Sequence, residues 1–524
     1  MPLVVKRMPL IAKKHIVLVI CRLRAHEFLY CLSYSERIPL PISDTLPFMH
    51  SRRIFLGALG APAVFAQGPY DVVINSGRVI DPESNLDAIR SIGINKGLIA
   101  SISTVPLRGK KTIDAKGLVV APGFIDLHCH GQNDENYRYK AHDGVTTALE
   151  LEVGVSPIKK WADERRGKAV VHYGASIGHI PARMAAMDDT SDWLPSGPAA
   201  KRAATDPEQN RTLELIRTGL REGGIGIGMG IAYTPFASRA EILDVFKVAA
   251  KGGVPIFVHM RGAGRKDPGV VEALQEVISD AAISGAAVHV VHLNSSSGKA
   301  FELGLSIVRG ARQRGIDVST EAYPYIAGMT RLDSAIFNPG WRETLEADFG
   351  DLMWTETGER LNAETFEKRR KQGGNVVAFT MREQDIELAM AAPDVMVASD
   401  GWLEKGKGHP RAAGAYARVL AHYVRERKVC TLMEAIRKMS LLPARRLEKF
   451  VPDMKLKGRI KVGAHADIVA FDAARVIDKA TFQNPAQYSE GIPHVLVMGV
   501  PVVENERLAE GVFPGQPVLS KVTV

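Results

Sequence analysis

The chain has 524 residues, of which 46% are hydrophobic, 24% charged and 6% aromatic, with 4 cysteines. This ordinary globular composition excludes collagen-like, wholly disordered and disulfide-scaffold proteins. The formal net charge is +9, but residues 1–66 carry nine Lys and Arg against three acidic residues. The rest of the chain is nearly balanced, so the sequence predicts no nucleic-acid partner.

Residues 51–66 have the features of an export signal in the right order. Paired arginines precede a short apolar run, and small residues follow up to Ala66. The stretch S-R-R-I-F-L resembles the bacterial twin-arginine signal. We expect translation to start at Met49, with residues 1–48 an upstream extension of the gene assignment and residues 49–66 a removable signal. The mature protein is then expected in the bacterial periplasm, without a stable membrane anchor.

Two strand-rich regions flank the remaining chain. Residues 67–119 and 451–515 alternate short apolar runs with turn residues, which is typical of small antiparallel strands. Residues 120–450 instead alternate continuous apolar runs with helical stretches, which favours a parallel sheet buried on both faces. The predicted fold class is therefore α/β: a (β/α)8 TIM-type barrel with a small β-sandwich formed from both chain ends. Residues 340–375 have the weakest pattern and are expected to form a lid or an insertion.

Polar groups occur on five of the predicted barrel strands, near the ends where barrel enzymes place their chemistry. His128 and His130 end one run two residues apart, so both rings point to the same side. Glu150 and Glu152 lie on the next run. Three later runs end in further candidates: His259, His292 and Asp400. Imidazoles and carboxylates are the ligands of a catalytic Zn²⁺-type site, which keeps one position open for water.

The remaining histidines and cysteines near these runs are interpreted as structural. Four histidines are expected to be packed or capping residues: His142, His172, His179 and His289. Cys129 should point to the opposite side of its strand from its two histidine neighbours and be inert. Only Cys129 and Cys430 remain after signal removal, so no disulfide framework is expected.

At residues 122–130 the motif P-G-F-I-D-L-H-C-H resembles the opening motif of the amidohydrolase superfamily. Later stretches are similar to its D-aminoacylase (N-acyl-D-amino-acid deacylase) branch: G-M-G-I-A-Y-T-P, F-V-H-M-R, E-A-Y-P-Y-I-A-G and H-P-R-A-A-G-A-Y-A-R-V-L. The tail stretch A-T-F-Q-N-P-A-Q-Y-S-E-G-I is similar as well. The resemblance covers roughly residues 70–515 and implies a metal-bearing (β/α)8 barrel with a small β-sandwich.

The resemblance also implies a ligand set, with one departure. Five positions match the family's metal ligands: His128, His130, His259, His292 and Asp400. Relatives usually end the second strand with Gly-Asn-Cys-Gly, whereas this chain has A-L-E-L-E-V-G and no Cys. Glu152, nearest the Cys position, is the predicted bridging ligand, and Glu150 is the alternative. We predict one or two Zn²⁺ ions. A carboxylate in place of a thiolate makes the site harder, so Mn²⁺ and Fe²⁺ are the alternatives.

Substrate-binding residues are implied in the same way. Tyr233, Tyr323 and Arg411 match family positions that hold the substrate's α-carboxylate, and the planar guanidinium of Arg411 suits bidentate binding. Asn294 stands where relatives carry a Lys, and Met329 where they often carry a Ser. Asn294 is expected to contact the substrate. The contacts made to the substrate's carboxylate or side chain are expected to differ from those in the relatives.

The predicted function is metal-dependent hydrolysis of a linear amide, from an N-acyl-D-amino acid to a D-amino acid and a carboxylate. A divalent metal would activate water, and Asp400 would act as general base and then as general acid. Two alternatives within the superfamily are a dihydroorotase-like cyclic amidase and an isoaspartyl-dipeptidase-like hydrolase. A third is a non-catalytic exported binding protein that keeps the barrel. The predicted partner is a small molecule, and the sequence leaves the oligomeric state open.

Overall fold

The structure is a computed structural model that describes residues 69–522. The predicted upstream extension (1–48) and the predicted export signal (49–66) lie outside the described residues. Within the described part, every helix is too short or too polar to cross a membrane.

The described chain begins with five strands: β1 (Tyr70–Asp81), β2 (Leu86–Asn95), β3 (Leu98–Ser103), β4 (Gly109–Asp114) and β5 (Val119–Pro122). β1 pairs antiparallel with β2 and parallel with both β4 and β5. Its register shifts between Ile74 and Gly77, and its parallel partner changes from β4 to β5 there. The first part of β1 therefore pairs with β4 and its last part with β5.

The next strands form the barrel: β6 (Phe124–Asp126), β7 (Val145–Val155), β8 (His172–Gly178), β9 (Ile227–Gly230), β10 (Ile256–His259), β11 (Val288–Val290), β12 (Val318–Ala322) and, after an insertion, β16 (Val395–Val397). All neighbouring pairs are parallel and follow chain order. Most of their residues are buried, as continuous apolar runs between helices require. The predicted (β/α)8 barrel is confirmed.

The insertion, residues 328–378, contains β13 (Gly328–Arg331), β14 (Leu352–Trp354) and β15 (Asn375–Ala378) in one antiparallel sheet. It has its own hydrophobic cluster, which includes Phe337, Trp341 and Phe366. Residues 340–375, for which a lid or an insertion is expected, lie within it.

After the barrel come the short pair β17 (Leu403–Glu404) and β18 (Lys407–Gly408), then β19 (Ile468–Phe471), β20 (His494–Val497), β21 (Val500–Glu504) and β22 (Arg507–Leu508). The last four join the N-terminal strands in one nine-stranded sheet with the order β22-β21-β20-β19-β5-β1-β2-β3, and β4 beside β1. The separate β-rich domain built from both chain ends is confirmed, and hydrogen bonds link all its strands into one sheet.

The α-helices of residues 69–522 are α1 (Asp134–His142), α2 (Ile158–Arg165), α3 (His179–Ala186), α4 (Pro198–Lys201), α5 (Asp206–Arg221), α6 (Arg239–Gly252), α7 (Val270–Ser284), α8 (Leu293–Ser297), α9 (Phe301–Gln313), α10 (Trp341–Leu345), α11 (Ala363–Gln372), α12 (Glu383–Ala391), α13 (Arg411–Arg418), α14 (Leu432–Ile436) and α15 (Leu442–Leu447). Helix α6 shows how the sequence defines them. The Ser238 side chain accepts the Glu241 N–H at its start, and Gly253 ends it at φ 61°.

The first and last barrel strands are joined by polar contacts at their carboxyl ends. The Asp400 N–H donates to the His128 carbonyl at 2.7 Å. The Asp126 carboxylate accepts from the Ser399 N–H and hydroxyl at 3.0 and 2.6 Å. Buried Lys140 pairs with Asp126 at 2.9 Å and donates to the Ser399 hydroxyl at 2.7 Å. These contacts fix His128 beside Asp400.

Helix α1 ends at His142, whose ring stacks on Tyr488 with centroids 3.9 Å apart. Burial lowers the pKa of His142 from 6.5 to about 4. The unfolded chain therefore binds a proton between these pH values when the folded chain does not. Stability supplied by neutral His142 is present above pH 6.5 and is lost as the pH falls toward 4.

We predict that His142→Phe, which keeps an aromatic ring and removes the titration, flattens this acid sensitivity. Between pH 7 and pH 4 the free energy of unfolding should fall by about 3 kcal/mol less in the variant than in the wild type. Urea unfolding of both proteins at the two pH values measures the difference. Equal losses in the two proteins would contradict the prediction.

Candidate metal centre

Five barrel strands bring their polar side chains together at one end of the barrel. The candidate ligand atoms form two overlapping groups, and within each group all atoms lie within 4.8 Å of one another. The first group is His128, His130, Glu152 and Asp400, and the second is Glu152, His259 and His292. The structure therefore brings together all six side chains for which metal binding is predicted.

Glu152 is the member common to both groups. One of its oxygens, Oε2, lies 2.9 Å from His128 Nε2 and 3.1 Å from His130 Nε2. The other, Oε1, lies 2.7 Å from His259 Nδ1 and 3.6 Å from His292 Nε2. A carboxylate with one oxygen beside each histidine pair can contribute a ligand atom to each group.

Glu150 points into the same region but contacts a different side of the histidines. Its Oε2 lies 2.7 Å from His130 Nδ1, the ring nitrogen that faces away from Glu152, and its Oε1 accepts the Gly154 N–H at 3.3 Å. A carboxylate on the far nitrogen of a ligating histidine fixes the ring's orientation and tautomer. The geometry therefore separates the two glutamates: Glu152 lies between the histidine pairs, and Glu150 orients His130.

Glu321, on β12, is a buried carboxylate outside the set of site residues predicted from the sequence. Its Oε1 lies 2.7 Å from His128 Nδ1, and its Oε2 lies 3.0 Å from His289 Nε2. His289 in turn lies 2.7 Å from the Ser319 hydroxyl. Burial opposes the charge of Glu321, but hydrogen bonds from His128 and His289 lower its pKa to about 2. The sequence does contain a signal for Glu321. Strand alternation places it on the same side of the chain as Tyr323, two residues later.

The site carries an excess of buried negative charge. Four buried carboxylates contribute, Glu150, Glu152, Glu321 and Asp400, against the one buried guanidinium that contacts them among the described residues, Arg411. Although burial lowers the pKa of His128, the charges of Asp400 and Glu152 raise it to about 10. Uncompensated buried charge is costly, and nitrogen and oxygen donors at this spacing are the ligands of divalent transition metals. The residues present therefore fit a divalent cation.

Arg411 is paired within the site. It is fully buried, its Nη1 lies 2.9 Å from Asp400 Oδ2, and its guanidinium lies over the Tyr323 ring at 4.4 Å. Burial raises the pKa of Asp400, but the charges of Arg411 and then His128 hold it below the usual range. The resemblance implies that Arg411 binds the substrate directly, whereas the structure places it against Asp400 and outside the cavity lining.

Of the other three residues predicted to bind substrate, two line the cavity and one does not. Tyr233 and Tyr323 line the cavity. The Tyr233 hydroxyl lies 3.1 Å from the Thr330 hydroxyl, and the buried Tyr323 hydroxyl has no hydrogen-bond partner among the described residues. Asn294 is buried and outside the lining, in helix α8, which starts directly after His292. Its side-chain amide donates to the Tyr323 carbonyl at 3.1 Å.

Cys129, the residue between His128 and His130 in the sequence, is buried, and its Sγ lies 3.5 Å from the Gly131 carbonyl. Burial raises the pKa of its thiol to about 12. It belongs to neither ligand group.

The candidate ligands open into a cavity of about 290 Å³. His130, His259, His292 and Asp400 lie on its wall, and residues 335–341 of the insertion contribute another part. This volume is close to the lower end of the range for small-molecule sites. The arrangement can hold cations beside a space large enough for a small organic substrate.

Several known proteins are similar to this chain over most of its length. The model of the amidohydrolase family matches residues 111–236 and 363–503. The D-aminoacylase of Alcaligenes xylosoxydans xylosoxydans is 31% identical over 486 residues, covering 84% of this chain and 95% of that protein. An N-acyl-D-glutamate deacylase of the same organism is 30% identical, covering 83% and 94%.

A solved structure is similar over a comparable share of the chain. The N-acyl-D-glutamate deacylase of Bordetella bronchiseptica, complexed with zinc and a phosphonate inhibitor that mimics the reaction's tetrahedral intermediate, has a TM-score of 0.75. Its sequence is 27% identical, and the match covers 86% of this chain and all of that chain.

Proposed function

This chain belongs to the amidohydrolase family, in the branch of D-aminoacylase, and from that premise we propose that it hydrolyses N-acyl-D-amino acids. The products are a D-amino acid and a carboxylate. The observation that carries the proposal is the pair of ligand groups that share Glu152 and open, beside Asp400, into a substrate-sized cavity.

Metal would be held by the six side chains of the two ligand groups. Nitrogen and oxygen donors suit Zn²⁺, the ion bound in the similar solved structure, and the carboxylate Glu152 leaves Mn²⁺ and Fe²⁺ as alternatives. When bound, a divalent cation lowers the pKa of water and polarises the substrate carbonyl.

Asp400 is the proposed proton carrier. Its Oδ1 lies 3.2 Å from His130 Nε2 and 3.4 Å from His128 Nε2, and its Oδ2 is held by Arg411. As the water oxygen bonds to the carbonyl carbon, Asp400 takes the water's proton. It then gives that proton to the amide nitrogen as the C–N bond breaks. Arg411 positions Asp400 for both transfers.

Tyr323 is proposed to orient the substrate. Tyr323 lines the cavity, and its buried hydroxyl has no hydrogen-bond partner within residues 69–522, so it is free to donate to a substrate oxygen. Arg411 stacks behind the ring, and His292 packs edge-on to it with centroids 6.4 Å apart. Tyr233, packed edge-on against His259, supplies a second hydroxyl to the same cavity.

A metal analysis combined with a substrate panel tests the proposal. The purified protein is stripped with a chelator, reloaded separately with Zn²⁺, Mn²⁺ or Fe²⁺, and assayed on N-acetyl-D-methionine, N-acetyl-L-methionine and dihydroorotate. We expect only the metal-loaded protein to hydrolyse substrate. Its kcat/KM for the D-enantiomer should exceed that for the L-enantiomer by about 100-fold or more. Faster hydrolysis of the cyclic amide would favour the dihydroorotase-like alternative. Loaded protein without hydrolytic activity would favour a binding protein.

A further inference from the structure

Apart from the candidate ligands, much of the cavity surface is apolar. Five side chains, which we call the apolar wall, are Trp193, Met329, Ile336, Leu345 and Trp402. Trp193 and Trp402 pack edge-to-face with centroids 5.0 Å apart, and each packs against the His130 ring, at 5.3 and 5.4 Å. The apolar wall therefore begins directly beside the proposed reaction centre.

Met329, Ile336 and Leu345 extend this surface from the insertion. Met329 lies on β13, where its backbone pairs with Val377 of β15, so the sheet of the insertion holds it in place. Its side chain is largely buried. A rigid apolar surface of this kind favours an apolar group of the substrate by removing both from water.

The part of the chain that the structure describes also provides no free cation on the cavity lining for a carboxylate in the substrate's side chain. Among residues 69–522, Arg261 is the Lys or Arg that lines it. All three of its nitrogens have acceptors: Nε and Nη2 contact the Glu276 carboxylate at 3.0 and 2.8 Å, and Nη1 donates to the Pro235 carbonyl at 2.8 Å. Arg411, behind Tyr323, is paired with Asp400.

Building on the proposed function, we propose that the enzyme takes N-acyl-D-amino acids with an uncharged, apolar side chain and rejects those with an acidic side chain. A side-chain carboxylate would leave water for apolar contacts. The cation that lines the cavity within residues 69–522, Arg261, is already paired with Glu276, so this transfer is strongly unfavourable. The α-carboxylate is common to all these substrates, so it does not contribute to the selection. The inference separates this chain from the N-acyl-D-glutamate deacylases that it resembles.

A shape-matched series isolates the charge. The zinc-loaded full chain is assayed on N-acetyl-D-methionine, N-acetyl-D-glutamine and N-acetyl-D-glutamate. We expect kcat/KM for methionine to exceed that for glutamate by about 100-fold or more, with glutamine between them. A glutamate value equal to or above the methionine value overturns the inference. Hydrolysis of none of the three by loaded protein instead overturns the proposed function.

Met329→Arg tests the wall itself, with Met329→Gln as the uncharged control. A guanidinium at this position would pair with the substrate's side-chain carboxylate. We expect kcat/KM for the glutamate substrate to rise about 10-fold or more in M329R but not in M329Q, with unchanged metal content. A folded M329R without that gain overturns the assignment of Met329 to the side-chain subsite. If M329R does not fold, the wild-type series still decides the main inference.

Discussion

Replacing Asp400 by asparagine will lower kcat for N-acetyl-D-methionine by about 10³-fold or more while the protein keeps its metal. Asparagine has nearly the same shape and retains one oxygen for Arg411, but it cannot take a proton from water or return one to the amine. The three remaining ligands of the first group, His128, His130 and Glu152, still hold the cation. Single-turnover kinetics and metal analysis of the same preparation separate these two effects.

Asp385→Asn is the matched control, because Asp385 is also a buried aspartate bound by an arginine. It lies in α12, its Oδ2 is 2.6 Å from Arg382 Nε, and it does not line the active-site cavity. We expect kcat of D385N to stay within about threefold of wild type. An Asp400→Asn variant within about tenfold of wild type would refute the proton-transfer role. Simultaneous loss of metal and activity would leave Asp400 as a ligand only.

The ligand positions could be predicted from sequence because strand periodicity is local. Two histidines separated by one residue after an apolar run must share a side, and parallel strands in a barrel place their carboxyl ends together. The same periodicity could not choose between Glu150 and Glu152, since both point inward. Their roles differ through depth along β7: Glu152 reaches all four histidines, and Glu150 reaches the outer nitrogen of one.

Contacts between residues far apart in the chain could not be predicted in this way, because strand periodicity is local. Glu321 orients His128 across 193 positions of sequence, and its partner could not be inferred from one chain. Arg411 could be aligned with a family position, but its pairing with Asp400 depends on how α13 packs behind Tyr323. The insertion had a weak pattern because its strands are three or four residues long, too short for periodicity to be read.

Glu152→Gln is expected to weaken metal binding more than any other single change among the glutamates of the site. The substitution keeps the shape but removes the charge shared by His128, His130, His259 and His292. A neutral amide is a much poorer ligand than a carboxylate for a divalent cation, so both ligand groups are affected. We expect the metal dissociation constant to rise about 10³-fold and kcat/KM to fall by a similar factor.

Glu150→Gln is the matched comparison, because it makes the same chemical change two residues away on the same strand. Of the four histidines, the Glu150 carboxylate contacts His130, at its outer nitrogen. An orienting carboxylate of that kind contributes about 10- to 100-fold to metal affinity. Competition with a chromophoric chelator measures both dissociation constants at one pH. If E150Q loses metal more severely than E152Q, the bridge between the two histidine pairs is Glu150, and the charge that holds the cations lies on the other side of His130.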